Sequence, residues 1–301
     1  MRLPLTILAV ALIAIPARAS ELTGTLQKIK ETNRIVLGFQ EASVPFSYLD
    51  GDQKAIGYAV DICMRIVDAV KREINVANVA VETLPVTSSN RIPLMMNGTV
   101  DLVCSSTTNN ADRQRQVAFT NSHFLSATRF ATRKSDSIAT IDQLKGKPVV
   151  AISGSTNMVQ LNQVNTARNL GVTPLAAKDQ AEAFLMLETG RAAAYVLDDV
   201  QLAVAIARSK DPSAYIISEE AFSKAEPYGI MLRRDDAAFK AVVDRATAEL
   251  YRSPEIEAIY KKWFEAPVPP NGLNFKTPMT AVLRSAYAHP SDSPDPASYE
   301  H

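Results

Sequence analysis

Apolar residues in the first part of the chain alternate between two spacings. Arg34-Ile35-Val36-Leu37-Gly38-Phe39 is a nearly unbroken apolar run, and its length predicts a strand buried on both faces. From Gly57 to Val70 the spacing widens. Val60, Cys63, Met64, Val67 and Val70 fall on one face of a helix that packs on a sheet. Val79 to Leu84 reads as a second strand. Ser88-Ser89-Asn90-Arg91 then caps a helix carrying Ile92, Leu94, Met95 and Met96, which stops at Asn97-Gly98. Val100 to Cys104 is a third strand, and Ala111 to Gln116 a helical turn with Asn109 or Asn110 as its N-cap. A weak helical stripe, Leu22, Leu26 and Ile29, leads in.

The same grammar returns further on. His123 to Ala127 and Arg129 to Arg133 are extended, and Thr140 to Gln143 has capping-box spacing. Strands are predicted at Val149–Ile152, Val172–Ala176 and Ala193–Leu197, with helices over about 157–170, from Asp179 to near Gly190, and over 200–207. A strand at Tyr215–Ile217, a long amphipathic helix over 235–252 and another over 255–264 follow. One short helix fits within 273–288. The end, 290–301, is rich in Pro, Ser, Asp and Glu, and its composition predicts disorder.

Strands alternating with helices through short connections predict an α/β protein with mainly parallel sheets. In such sheets ligands bind beyond the carboxyl ends of the strands. Polar clusters stand there: Gln40 to Ser43, Ser88 to Arg91, Ser105 to Arg113, Ser153 to Asn157 and Asp198-Asp199. The third is the most telling. Hydroxyls and free amides gather at a helix start, and Arg113 on its first turn can grip a carboxylate bidentately. A polar loop with a surface arginine is the plainer reading; convergence of the clusters favours the anion site.

Composition narrows the chemistry. The 301 residues are 47% apolar, with 32 basic and 32 acidic side chains in balance, and no basic block marks a nucleic-acid surface. Three histidines and no HExxH, GxxxxGK or GxSxG pattern argue against metal, nucleotide and serine-hydrolase chemistry, so no cofactor is expected. Met1-Arg2, the apolar run Leu3 to Ile15 and Ala17-Arg18-Ala19 predict a secretory signal over residues 1–19, cleaved after Ala19. In an exported chain Cys63 and Cys104 are compatible with a structural disulfide or with two buried thiols.

An ordered set of motifs then identifies a family resemblance. Val36 to Tyr48, Asn90-Arg91-Ile92-Pro93-Leu94, Ser106-Thr107-Thr108-Asn109-Asn110, Arg113-Gln114 before Phe119-Thr120, Ser153-Gly154-Ser155-Thr156, Asp198-Asp199, Tyr228-Gly229 and Lys261-Lys262-Trp263-Phe264 belong to it. Across roughly Arg34 to Phe275 the chain resembles the periplasmic solute-binding proteins, family 3, of polar amino-acid ABC importers, with its glutamate/aspartate-binding group nearest. The resemblance implies a two-lobed periplasmic-binding-protein fold (type II) with a hinge between two α/β lobes. Lobe 1 would be discontinuous, 20–124 plus 228–275, lobe 2 would be 125–227, and 276–301 a partly disordered tail. The crossings would lie near His123 to Ala127 and Lys224 to Tyr228. A monomer that delivers its ligand to a membrane permease, with no nucleic-acid partner, is implied.

Site roles follow from the same resemblance. Arg113 would hold the ligand α-carboxylate, with Ser106 and Thr108 as further donors and Thr156 joining on closure. Asp199, with Asp198 as the alternative, would pair with the α-ammonium. Ser88 and Arg91 would surround the side-chain carboxylate. Where the glutamate/aspartate group has an Arg and a His, this chain has Gln40 and Gln180. That loses a fixed and a titratable positive charge, so glutamine or asparagine stands as the alternative ligand. A periplasmic dehydratase on the same fold is the competing class, but catalysis needs a positioned acid or base, and the inferred cleft offers carboxylates without histidine. His123 reads as structural; Phe46 and Tyr48 wall either the pocket or the core.

Overall fold

The computed structural model describes residues 22–300. The expected signal over 1–19 lies outside them. Among the described residues no helix is long and apolar enough to cross a membrane.

The chain begins with α1 (Gly24–Thr32), β1 (Arg34–Phe39), the short strands β2 (Ala42–Ser43), β3 (Ser47–Leu49) and β4 (Ala55–Ile56), and α2 (Tyr58–Ile74). It continues through β5 (Ala80–Pro85), α3 (Arg91–Met96), β6 (Leu102–Cys104), α4 (Ala111–Gln114) and β7 (Val117–Phe119). β8 (Phe124–Arg133), β9 (Pro148–Ile152), α5 (Thr156–Ala167), β10 (Thr173–Ala177), α6 (Gln180–Glu188), β11 (Ala194–Asp198), α7 (Asp199–Ala207) and β12 (Tyr215–Ile217) come next. The chain closes with β13 (Ala225–Tyr228), β14 (Met231–Arg233), α8 (Ala237–Tyr251), α9 (Pro254–Tyr260) and α10 (Ala281–Ala288).

Two mixed sheets result. The first has the order β5-β1-β6-β14-β7, parallel across β5, β1 and β6 and antiparallel at β14 and β7. The second runs β10-β9-β11-β8-β12, parallel across β10, β9 and β11. The central strands β1, β6, β9 and β11 are buried on both faces, which is why they read as continuous apolar runs, whereas the edge strands β5 and β10 are largely exposed. Ile35 and Leu37 of β1 face the helices α2, α8 and α9, while Val36 between them faces α3 with Met95. In β9, Val149 and Ala151 pack with Leu161 of α5, and Val150 and Ile152 with Leu187 of α6.

The sheets are joined by an antiparallel ribbon, in which Phe124 to Ala127 of β8 pair with Tyr228 to Ala225 of β13. Phe46, Tyr58, His123, Phe124, Tyr228 and Phe264 interlock around its end, the rings of Phe46 and Phe124 lying 4.9 Å apart at a steep angle. Phe46 is therefore core. Tyr48 is buried as well, its hydroxyl donating to the Pro269 carbonyl.

Cys63 of α2 and Cys104 at the end of β6 form a disulfide. The bond fixes the strand end from which the Ser105 loop departs.

α10 is the short helix expected within 273–288, and it packs Leu283, Ala286 and Tyr287 into the core. Beyond it, where the sequence predicts disorder over 290–301, a 3-10 turn at Pro296–Tyr299 buries Tyr299. Average composition predicted disorder here because one buried tyrosine and a set of satisfied main-chain carbonyls leave no compositional trace.

Candidate functional site

The carboxyl ends of β1 and β6 in the first sheet and of β9 and β11 in the second face one another. Between them lies a small, partly open polar cavity with about 20 Å³ of free space, about that of one water, because the two sides are drawn together. Its walls include Gln40, Ser88, Arg91, Ser106 and Thr108 on one side and Thr156, Asn157, Gln180, Asp198 and Gln201 on the other. Local rules place these groups. Asn110 is the N-cap of α4, accepting from the Arg113 amide at 2.9 Å. Ser155 caps α5 by accepting from the Met158 amide, which leaves Thr156 at the cavity wall. Gly154, at φ +74°, lets the two halves touch: a Cβ there would come within 2.7 Å of the Ser89 main chain.

The walls are in contact. Thr108 and Thr156 share a hydrogen bond at 3.2 Å, and Ser89 donates to the Ser153 carbonyl at 3.0 Å. Ser43 receives Gln180 Nε2 at 3.2 Å and Gln201 Nε2 at 2.8 Å, and lies 3.0 Å from the Ser106 hydroxyl. Gln40 accepts from Ser105 and donates to Ser88 at 3.3 Å.

Two buried guanidiniums dominate the electrostatics. Arg91 is 3% exposed, its Nη1 donates to Thr107 Oγ1 at 2.9 Å, and its Nε has no partner. Burial, reinforced by the positive charge of Arg113, pushes its pKa well down. Arg113 donates to the Thr108 carbonyl at 2.8 Å and lies 3.5 Å from the Gly154 carbonyl. Burial lowers it to about 10, opposed by the charges of Glu226 and Asp198. Because arginine stays protonated in proteins, such shifts measure how poorly the charge is compensated, and a nearby anion would relieve both. Arg91 lines the cavity; Arg113 stands just behind it, turned toward carbonyls.

Asp198 is the carboxylate of the cavity. It accepts from Asn157 Nδ2 at 2.8 Å, from Thr128 Oγ1 at 3.2 Å and from the Tyr228 hydroxyl. Burial raises its pKa, and the bonds from Tyr228 and Asn157 pull the other way. Asp198 lines the cavity and Asp199, the first choice by resemblance, does not. Asp199 is half-exposed outside the cavity, bonded to Ser126 at 2.5 Å and to the Val200 amide at 2.7 Å, with Arg129 Nε at 3.7 Å. Asp198 ends the strand with its side chain inward, and the helix that starts at the next residue turns Asp199 away.

Ser88, Ser106, Thr108, Thr156, Gln40 and Gln180 all reach the cavity. Sequence reasoning missed Ser43, Asn157 and Gln201. Ser43 and Asn157 stand inside clusters already singled out by their strand-end position. Gln201 lies on the first turn of α7, where the rule that ligands bind at strand-to-helix turns would have reached it.

Comparison with known proteins agrees with this architecture. The model of the "Bacterial extracellular solute-binding proteins, family 3" matches residues 35–266. The "L-glutamate/L-aspartate-binding protein" of Pseudomonas aeruginosa is 46% identical over 95% of this chain and 95% of its own. The "Glutamate/aspartate import solute-binding protein" of Escherichia coli is 41% identical over 97% and 98%. Among solved structures, an ancestral arginine-binding protein bound to arginine superposes with a TM-score of 0.69 at 27% identity, over 77% of this chain and 98% of that one. A mutant of ArgBP from T. maritima, 24% identical with a TM-score of 0.72 over 80% of this chain and 100% of its own, shares the fold.

Proposed function

This chain belongs to the bacterial extracellular solute-binding proteins, family 3, and from that premise we propose that it is the periplasmic substrate-binding component of an amino-acid ABC importer. It binds glutamate or aspartate as a monomer in the cleft between two lobes, 20–124 with 228–275 and 125–227, and delivers the ligand to a membrane permease. Its role is binding, in keeping with the transport names of its relatives.

One observation carries the ligand class. Arg91 and Arg113 are both buried, neither pairs with a carboxylate among the described residues, and among those residues Asp198 is the one carboxylate that lines the cavity. Glu226 does not line the cavity and makes no ion pair with Arg113, although its charge attracts Arg113 more than that of Asp198 does. Both guanidiniums thus lack an ion-pair partner of their own among the described residues. An acidic amino acid brings two negative charges and one positive, so each ion finds a partner when the cleft dries. Its α-carboxylate goes to Arg113 with Thr108, Ser106 and Thr156. Its ammonium goes to Asp198, and its side-chain carboxylate to Arg91 with Ser88.

Gln40 and Gln180 favour a second reading. They offer amide groups where the resemblance leads one to expect cations, which suits a carboxamide side chain. Calorimetry of ligand-stripped protein against Glu, Asp, Gln and Asn separates the readings. Tighter binding of Glu or Asp is expected. Tighter binding of Gln or Asn would replace the acidic reading, and no heat with any of the four would remove the amino-acid reading itself.

A further inference from the structure

Beyond residue 266, where the family model ends, the chain continues into a segment that the cavity does not use. It runs through α10 and the Pro296–Tyr299 turn and lies against the back of the loop that carries Thr108 and Arg113. The main-chain carbonyl of Asp292 accepts the side-chain amides of both Asn109 and Gln114, each at 2.9 Å. Gln114 Nε2 also donates to Asn109 Oδ1 at 2.9 Å. Asn109 is fully buried, and its main-chain amide donates to the Pro227 carbonyl at 2.7 Å. The residue between Thr108 and the α4 cap is thereby held from two directions, by β13 and by the C-terminal segment.

The same segment grips the entry to the ribbon. Ser291 accepts the Ser122 amide at 2.8 Å, and the Tyr299 hydroxyl lies 2.7 Å from Ser122 Oγ. That hydroxyl can also donate to the Ser293 carbonyl at 2.9 Å or the Ser291 carbonyl at 3.0 Å. Tyr287 donates to the His123 carbonyl at 2.9 Å, and Lys240 pairs with the Asp292 carboxylate at 2.8 Å. At the far end Lys224, just before β13, meets Glu300 at 3.0 Å.

We propose that this C-terminal segment is a positioning strap for the carboxylate end of the binding site. Asn109, Gln114, Ser122 and Tyr299 are its positioning residues, and none of them lines the cavity. A loop with two free amide side chains and no backing would sample several arrangements, and each ligand would have to select the productive one. A loop fixed beforehand spares the ligand that ordering cost. The α-carboxylate is common to every amino acid, so the effect of the strap on affinity is uniform across ligands. This inference rests on the amino-acid reading of the site.

Two variants of the full chain test it, each read by calorimetry at 25 °C and by thermal unfolding without ligand. Gln114→Ala removes the bonds of that side chain to Asp292 and to Asn109; Tyr299→Phe keeps the ring packing and removes only the hydroxyl. Both should weaken Glu and Asp by the same factor, about five- to thirtyfold, with the ratio between the two ligands unchanged. A strap that only stabilised the fold would lower the unfolding midpoint and leave affinity at 25 °C untouched, and that result overturns the inference. A change in the Glu-to-Asp ratio overturns it too, since it would put the effect at the side-chain end. Wild-type protein that binds no amino acid removes both this inference and the function it rests on; wild-type binding with unaltered variants removes the strap alone.

Discussion

The hydroxyls of Thr108 and Thr156 lie 3.2 Å apart, although one follows the first sheet and the other begins a helix of the second. With Ser89 on Ser153 and Gln201 on Ser43, they make the cleft closed in this structure. A ligand that contacts both halves favours this arrangement over an open one by its differential affinity. The guanidiniums beside it remain the groups least well served by the protein itself.

Removing either guanidinium should therefore separate two functions. Arg113→Ala should weaken every amino acid, and Arg91→Ala should weaken Glu and Asp far more than Gln or Asn. Losing one partner of a buried, hydrogen-bonded charge pair costs on the order of 2–5 kcal/mol of binding. Calorimetry against the four ligands gives both answers. Normal binding by Arg113→Ala would reject the α-carboxylate role.

Gln180 and Gln40 set the field at the side-chain end. Gln180→His should tighten Glu and Asp as pH falls through the imidazole range, because the added proton supplies a cation where the protein has a neutral amide. The wild-type protein lacks that group. Gln40→Arg should favour acidic ligands at every pH, by roughly tenfold for about 1.4 kcal/mol of added attraction. Equal gains for Glu and Gln would show that neither position faces the side chain.

Much of this was legible because its signals are local. Strands buried on both faces read as apolar runs, as Arg34–Phe39 and Pro148–Ile152 do, and polar residues just past them mark the site. What escaped depends on long-range placement. Asp198 and Asp199 are neighbours with the same chemistry, and only the exact start of α7 decides which one faces inward. Ser43 matters because two glutamines from the other half of the molecule reach it. Tyr299 orders the tail by contacts with Ser122, far away in sequence.

The disulfide predicts a stability effect without a loss of site geometry. Cys63 and Cys104 are separated by 41 residues, both fully buried, and closing a loop of that length stabilises the fold by about 4 kcal/mol on chain-entropy grounds. The double variant Cys63→Ala, Cys104→Ala should lose about 2–4 kcal/mol in denaturant unfolding. It should still bind ligand when folded, since the bonds that hold Thr108 and Arg113, from Asn110 and Thr108 within the loop and from Asn109 and Gln114 to Asp292, do not involve the bridge. Loss of binding in a folded double variant would mean that the bridge also shapes the loop.

His123 makes stability depend on pH in a calculable direction. It is fully buried, and its Nε2 lies 3.2 Å from the Ser105 carbonyl, which can only accept, so the neutral ring carries its proton there. Burial lowers its pKa to about 3, only partly opposed by that bond. The unfolded chain binds the proton near the ordinary value of about 6.5. Between those two values the unfolded state holds more protons, so stability rises with pH and is lost on acidification from about 6.5 downward. The slope reaches about 1.4 kcal/mol per pH unit, up to about 3 kcal/mol by pH 4. His123→Gln keeps a donor for Ser105 and removes the titration. Urea unfolding from pH 7 to pH 4 should therefore show the variant losing less stability than the wild type, with the gap widening below pH 6. Parallel curves would mean that the folded protein protonates His123 as easily as the unfolded chain does, and that the ring is not held neutral beside the binding loop.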